Sequence, residues 1–231
     1  MPQHPIKLLA LDLDGTLAAI NSQVSNETIE LLESIQKKGI TIAILSGKPT
    51  AYLTGLARQL GIKDIILSGE NGAEVQFGSS YPPKQFYCLL ENKPNYSDVT
   101  NYLEAKYKNA IWLQPNNANF SVFAKQRILE DINVFFADYI KDKPQLIKYF
   151  HADCVELVDK SISKGNALNF IVNKLNINSS NVCAIGDGDN DIELLQQSSI
   201  RLSINKPLAV DNLQVFESIE LALTHTIDEY L

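Results

Sequence analysis

The chain has 231 residues, 45% hydrophobic and 20% charged, a composition that fits one large or two small globular domains and excludes overall disorder or low complexity. Twenty basic against 27 acidic residues leave a net charge of −7 without any block of Lys or Arg, so general binding to nucleic acid or an anionic membrane is not expected. An anionic substrate would therefore need local positive charge from a metal ion, lysines or helix N-termini.

Residues 6–13, IKLLALDL, form a short and almost wholly apolar run, the signature of a strand covered on both faces in a parallel sheet. A helix follows over 26–38, with Ser25 as N-cap, Ile29, Leu32 and Ile35 at helical spacing, and Gly39 as the stop. ITIAIL at 40–45 predicts a second buried strand, 50–60 a helix closed by Gly61, and 64–68 a third strand. This alternation is the βαβ pattern of a doubly wound α/β sheet.

The pattern changes near residue 71. Asn71-Gly72 before AEVQF reads as a hairpin, and Tyr81-Pro82-Pro83 as a stiff break able to act as a hinge. Strands at 85–90, 110–114, 119–124 and 145–150, with helices at 95–107 and 128–141, suggest an inserted antiparallel sheet with helices on one face and solvent on the other. From 154 the first pattern resumes: strand 154–158, helix 164–175, strand 182–186, helix 190–197, strand 199–204, then a tail of helix and connection over 207–231. The expected division is 1–80 and 154–231 for the parallel-sheet core and 81–153 for the insertion.

Cys88, Cys154 and Cys183 are odd in number, widely spaced and without CxxC, so neither a disulfide framework nor a zinc site is expected, and a reducing cytoplasm is the expected compartment. No signal peptide or membrane span is read from the sequence. Trp112 and most other aromatic residues sit in apolar strands or helices and read as core. The histidines at 4, 151 and 225 are scattered and GxSxG is missing, which leaves a Ser-His-Asp hydrolase without support.

In an open α/β sheet, ligands bind beyond the carboxyl ends of the strands. Four polar clusters fall at such positions: Asp12-Leu13-Asp14-Gly15-Thr16, Ser46-Gly47-Lys48, Ser163-Lys164-Gly165, and Gly186-Asp187-Gly188-Asp189-Asn190-Asp191. Asp12 and Asp14, two apart in an extended chain, are expected to share a face and to pull each other's pKa values apart. Asp187, Asp189 and Asp191 gather hard oxygen ligands of the kind magnesium takes, while Ile192 and Ser198 break an EF-hand pattern. Ser46 can hold phosphate oxygens or cap a helix; Ile42 and Pro49 exclude a P-loop. A lone lysine at a helix start is usually solvated, so Lys164 gains weight only from its company.

Taken in order, Asp12-Leu-Asp14-Gly-Thr16, Ser46, Lys164 and Gly186-Asp187-Gly188-Asp189-Asn190-Asp191 resemble the four motifs of the haloacid dehalogenase superfamily. ILSGKP, SGENGA and SISKGNAL look like the branch with a large α/β cap inserted after the third strand, subclass IIB, which includes Cof-type sugar phosphatases, phosphoglycolate phosphatases and sucrose-phosphate phosphatases. The resemblance implies a Rossmann-like parallel-sheet core with a smaller α+β cap carrying an antiparallel sheet. It also implies a magnesium-dependent phosphomonoester hydrolase working through an aspartyl-phosphate. Asp12 is then the nucleophile and Asp14 the acid and base. Mg²⁺ is held by Asp12, Asp14 through its carbonyl, and Asp187, with Asp191 behind them, and phosphate is held by Ser46, Gly47, Lys164 and Asn190. Many relatives carry Arg at the position of Lys48. Asn116, Asn117, Lys125 and Arg127 are polar candidates for reading a small phosphorylated metabolite as a monomer or homodimer. A phosphomutase of the phosphomannomutase type, or a non-catalytic phosphate-ligand binder, are the alternatives.

Overall fold

In the computed structural model, which describes residues 5–62 and 64–231, the first apolar runs become β1 (Leu8–Leu11), α1 (Asn26–Lys37), β2 (Thr41–Leu45), α2 (Thr50–Leu60), β3 (Ile66–Gly69), β4 (Glu74–Phe77) and β5 (Gln85–Cys88). The middle of the chain gives α3 (Ser97–Tyr107), β6 (Ile111–Leu113), β7 (Phe120–Ala124), α4 (Gln126–Tyr139), β8 (Leu146–Phe150) and β9 (Cys154–Asp159). The last third gives α5 (Lys164–Leu175), β10 (Val182–Gly186), α6 (Ile192–Gln196), β11 (Ile200–Ile204), β12 (Leu213–Phe216) and α7 (Ile219–Tyr230). His4 lies outside the described residues.

One unit runs to Leu89 and resumes at Ser163; the other is Leu90–Ile162. The first holds an eight-stranded sheet in the order β12-β11-β10-β1-β2-β3-β4-β5, parallel except for β4 and β5, which pair antiparallel. Strand residues alternate between two cores, as the two-residue period of a strand requires. Leu9, Leu11, Ile42, Ile44 and Ile185 pack with α1, α2 and α7, while Leu8, Ala10, Ala43, Leu45 and Ala184 pack with α5 and α6. Covering both faces is what makes these strands read as continuous apolar runs.

The second unit is a four-stranded antiparallel sheet, β6-β7-β9-β8, with Val99, Leu103, Leu129, Ile132 and Phe136 of α3 and α4 closing a core over Val122, Val155 and Leu157. The expected boundaries at 81 and 153 each move about nine residues along the chain, to Leu90 and Ile162. β5 belongs to the eight-stranded sheet, because its antiparallel partner is β4. β9 belongs to the smaller sheet, between β7 and β8. Pro82-Pro83 thus lies in the β4–β5 connection, inside the first unit and not at its boundary. The face of the small sheet away from the helices is not uniformly solvated: Glu156 is buried and accepts the Ser121 hydroxyl at 2.7 Å, whereas Trp112, expected in the core, is 57% exposed on edge strand β6. Among the described residues, no helix is long and apolar enough to cross a membrane.

The tail supplies β12 and α7, and α7 docks on α1. Ser25 caps α1 through the Thr28 N–H, and the hydroxyls of Ser25 and Thr28 both donate to Glu220 Oε1, at 2.8 and 2.7 Å. Burial raises the Glu220 pKa, but the hydrogen bonds from Thr28, its own backbone, Ser25 and Ser218 outweigh it and hold the carboxyl below its ordinary value. A depressed folded-state pKa contributes stability above the unfolded value that is lost as pH falls through the folded one. Glu220→Gln is accordingly expected to cost about 1–2 kcal/mol in urea unfolding at pH 7. The gap to the native chain should close in acid below the ordinary glutamate range; a gap that stays constant with pH would contradict the assignment.

Candidate active site

Strand order reverses between β1 and β10, with β2 and β3 on one side and β11 and β12 on the other. The crevice beyond the carboxyl ends of those two central strands is where this kind of sheet receives a ligand. Asp12 follows β1 directly and Asp187 follows β10. Gly15 turns the chain back at φ +90°, and a Cβ there would lie 2.4 Å from Asp187 Oδ2, so only glycine admits that carboxylate.

Ser163 caps α5 by accepting the Asn166 N–H at 3.1 Å, which makes Lys164 the first helical residue. It is not solvated. Lys164 is 1% exposed, with its ammonium 2.5 Å from Asp12 Oδ1 and 2.7 Å from Asp191 Oδ1. Asp191 Oδ2 accepts the backbone N–H groups of Asp187 (3.0 Å) and Gly188 (2.9 Å), which folds the aspartate-rich loop around it. Thr16 Oγ1 donates to Asp187 Oδ1 at 2.8 Å. One carboxylate oxygen from each of Asp12, Asp187 and Asp191 lies within 4.8 Å of the others, close enough to share one cation.

Two carboxylates, Asp12 and Asp191, flank the Lys164 ammonium, with Asp187 close to both of them, and the charges show it. Burial, followed by the Asp191 carboxylate, pushes Asp12 up to about 8, with Lys164 pulling the other way. Burial also raises Asp187, against the hydrogen bond from Thr16. Burial alone would lower Lys164, but Asp12 and Asp191 overcompensate and hold it charged, above the usual lysine range. The expected effect of Asp14 on Asp12 is not among the causes that set Asp12. Asp12 is set by burial and by the acids after β10, whereas Asp14 sits in a one-residue bridge to Ala18 and pairs with Lys48 Nζ at 3.1 Å.

On the other side of the crevice, Ser46 is buried, and its hydroxyl accepts the Lys48 N–H at 3.1 Å. It does not cap α2, which starts behind Pro49 without a side-chain cap. The Ser46 carbonyl accepts the Asn71 N–H at 2.9 Å, Gly47 leaves room beside the Asn71 amide, and Asn190 Nδ2 donates to Asn71 Oδ1 at 3.4 Å. Asn71 therefore links the second and fourth clusters, a position that reading Asn71-Gly72 only as a turn does not bring out. The available signal is its place at the carboxyl end of an apolar strand, as for the other clusters. Asp189 stands apart from the other acids of its loop: it is exposed and lies 3.9 Å from Lys206. In the second unit, Asn116 Nδ2 donates to Ser121 Oγ at 2.9 Å, while Asn117, Arg127 and Lys125 lie at or near the surface.

A family model described as haloacid dehalogenase-like hydrolase matches residues 9–120 and 84–206. A phosphoglycolate phosphatase of Staphylothermus marinus is 24% identical over 212 residues, covering 86% of this chain and 85% of that protein. A phosphoglycolate phosphatase of Thermoplasma volcanium is 25% identical over 200 residues, with 83% and 81% covered. In fold, the chain is similar to a haloacid dehalogenase-like hydrolase from Bacteroides thetaiotaomicron, with a TM-score of 0.78 at 18% identity over 95% of this chain and 99% of that one.

Proposed function

Because this chain belongs to the haloacid dehalogenase-like hydrolase family, we propose that it is a magnesium-dependent phosphomonoesterase that cleaves a small phosphorylated metabolite through an aspartyl-phosphate. The observation that carries the reading is the meeting of Asp12, Lys164, Asp187 and Asp191 at the switch point of the sheet, with Ser46, Asn71 and Asn190 on the facing rim. The donor set fits a divalent cation: hard oxygens, an excess of negative charge, and one carboxylate, Asp187, already oriented by Thr16. Asp12, the Asp14 carbonyl and Asp187 would hold Mg²⁺, with Asp191 behind them. When bound, the ion supplies Lewis acidity and lets an anionic carboxylate meet an anionic phosphate.

Asp12 attacks phosphorus with a carboxylate oxygen as the bond to the leaving oxygen breaks, and Asp14 gives that oxygen its proton. Asp14 then takes a proton from water as the water oxygen attacks phosphorus, which frees Asp12 and releases phosphate. Lys164, the Ser46 hydroxyl, the Gly47 N–H and Asn190 hold phosphoryl oxygens and meet the charge that develops on them. The substrate class is a sugar phosphate or a phosphoglycolate-like acid; the relatives named phosphoglycolate phosphatases support the latter. Three unbridged cysteines are in keeping with a cytoplasmic setting.

Phosphate release from a panel of sugar phosphates, phosphoglycolate and related acids tests the reading. Release is expected with magnesium, falls to the blank in EDTA, and returns when magnesium is restored. Isomerised sugar phosphate without free phosphate would identify a mutase instead, and tight ligand binding without turnover would identify a binding protein.

A further inference from the structure

Two lysines divide the two aspartates of the first motif between them: Lys164 holds Asp12, and Lys48 holds Asp14. The second pairing has no place in the mechanism above. Its Nζ to Oδ2 distance is 3.1 Å, and the two side chains are 25% and 28% exposed. The backbone that carries Lys48 is fixed at both ends, its N–H on Ser46 Oγ at 3.1 Å and its carbonyl accepting the Glu70 N–H at 3.0 Å. Lys48 and Asp14 also form part of the wall of a cleft of about 410 Å³, with Leu13, Tyr52 and Gln59, so the pair meets open space and not packed core. A partly exposed ion pair contributes about 0–1 kcal/mol to stability, too little to explain its being built so firmly.

We propose that Lys48 is a positioning residue for leaving-group protonation: its ammonium fixes Oδ2 of Asp14 so that Oδ1 is presented to the departing oxygen. The inference rests on the acid and base role given to Asp14 above. Among the described residues, the side-chain contact to Asp14 falls on Oδ2, which leaves the other carboxylate oxygen to meet a substrate.

The test separates leaving groups. p-Nitrophenolate departs without a proton, whereas an alkoxide needs one. In Lys48→Met, single-turnover phosphorylation by glycerol 3-phosphate is expected to fall about 10- to 100-fold, against no more than about twofold for p-nitrophenyl phosphate. Lys48→Arg is expected to recover most of the loss, and inhibition by inorganic phosphate to stay as in the native chain. In an Asp14→Asn background, Lys48→Met is expected to add less than about twofold, because the two residues act as one unit. Equal losses for both substrates with weaker phosphate inhibition would make Lys48 a phosphate ligand and overturn the inference, as would no loss for either. Native protein that hydrolyses neither these two substrates nor any member of the panel above with magnesium would overturn the functional reading itself, and this inference with it; if a panel member is hydrolysed and glycerol 3-phosphate is not, that alkyl phosphate takes its place in the comparison.

Discussion

Asp12→Asn is expected to abolish turnover, with kcat falling about 10³-fold or more, because the variant lacks the carboxylate that forms the covalent bond to phosphorus. The fold should survive it. Asp12 is buried, 2.5 Å from Lys164, in a cluster of three carboxylates, two of which pair with that ammonium. An amide removes one of those charges, and Lys164 keeps Asp191 as its partner at 2.7 Å. In EDTA the variant is expected to melt at or above the native temperature, since active-site charge is held at a cost to stability. A variant that retains near-native kcat would end the nucleophile assignment; one that is inactive and also unfolded would show that Asp12 is structural.

The second large effect is expected at Lys164. Replacing it by methionine keeps much of the volume but removes the ammonium between Asp12 and Asp191, leaving two buried carboxylates uncompensated. Breaking a buried pair in this way costs about 3–5 kcal/mol. Activity should fall about 10²- to 10³-fold as well, the size of loss seen when a transition-state donor is removed. Divalent cations bind only the folded chain in this scheme, so magnesium should restore part of the lost stability, increasingly so as its concentration rises. Denaturant melts of Lys164→Met with and without magnesium measure both effects. A variant as stable as the native chain in EDTA would mean that the acids protonate without penalty and that Lys164 does not hold the cluster together.

The parallel half of the sheet was legible because strands buried on both faces leave unbroken apolar runs, such as LLAL and TIAIL. The same rule misplaced β9. CVELVD is buried nearly throughout, but it lies at the centre of the antiparallel sheet and not in the parallel one. β5 erred the other way: at the edge of the large sheet, QFYC is mostly exposed and paired antiparallel, so its pattern matched the insertion beside it. β12, also an edge strand and half exposed, is only the four residues LQVF, too short a run to separate from the tail of helix and connection expected over 207–231. In the site, the aspartates and Lys164 were legible from position, since each falls where a strand or helix meets the crevice. Their partners were not. That Lys164 is buried, that Lys48 pairs with Asp14, and that Asn71 joins Ser46 to Asn190 all depend on contacts between segments far apart in the chain.

The position of β1 also governs how the chain is made. Its two neighbours are β2, which follows at once, and β10, whose first residue is synthesised long after β5 is complete. At ordinary elongation rates, the stretch of about 95 residues between β5 and β10 takes roughly 5 to 20 s to emerge. Through that interval the nascent five-stranded sheet has an unpaired edge at β1, and the face formed by Leu8, Ala10, Ala43 and Leu45 lacks the helices that will cover it. Leu90–Ile162 is completed within the same interval and has a core of its own. The inserted unit can therefore finish folding on the ribosome before the unit that encloses it, and the exposed β1 edge is where a chaperone would have the most to protect.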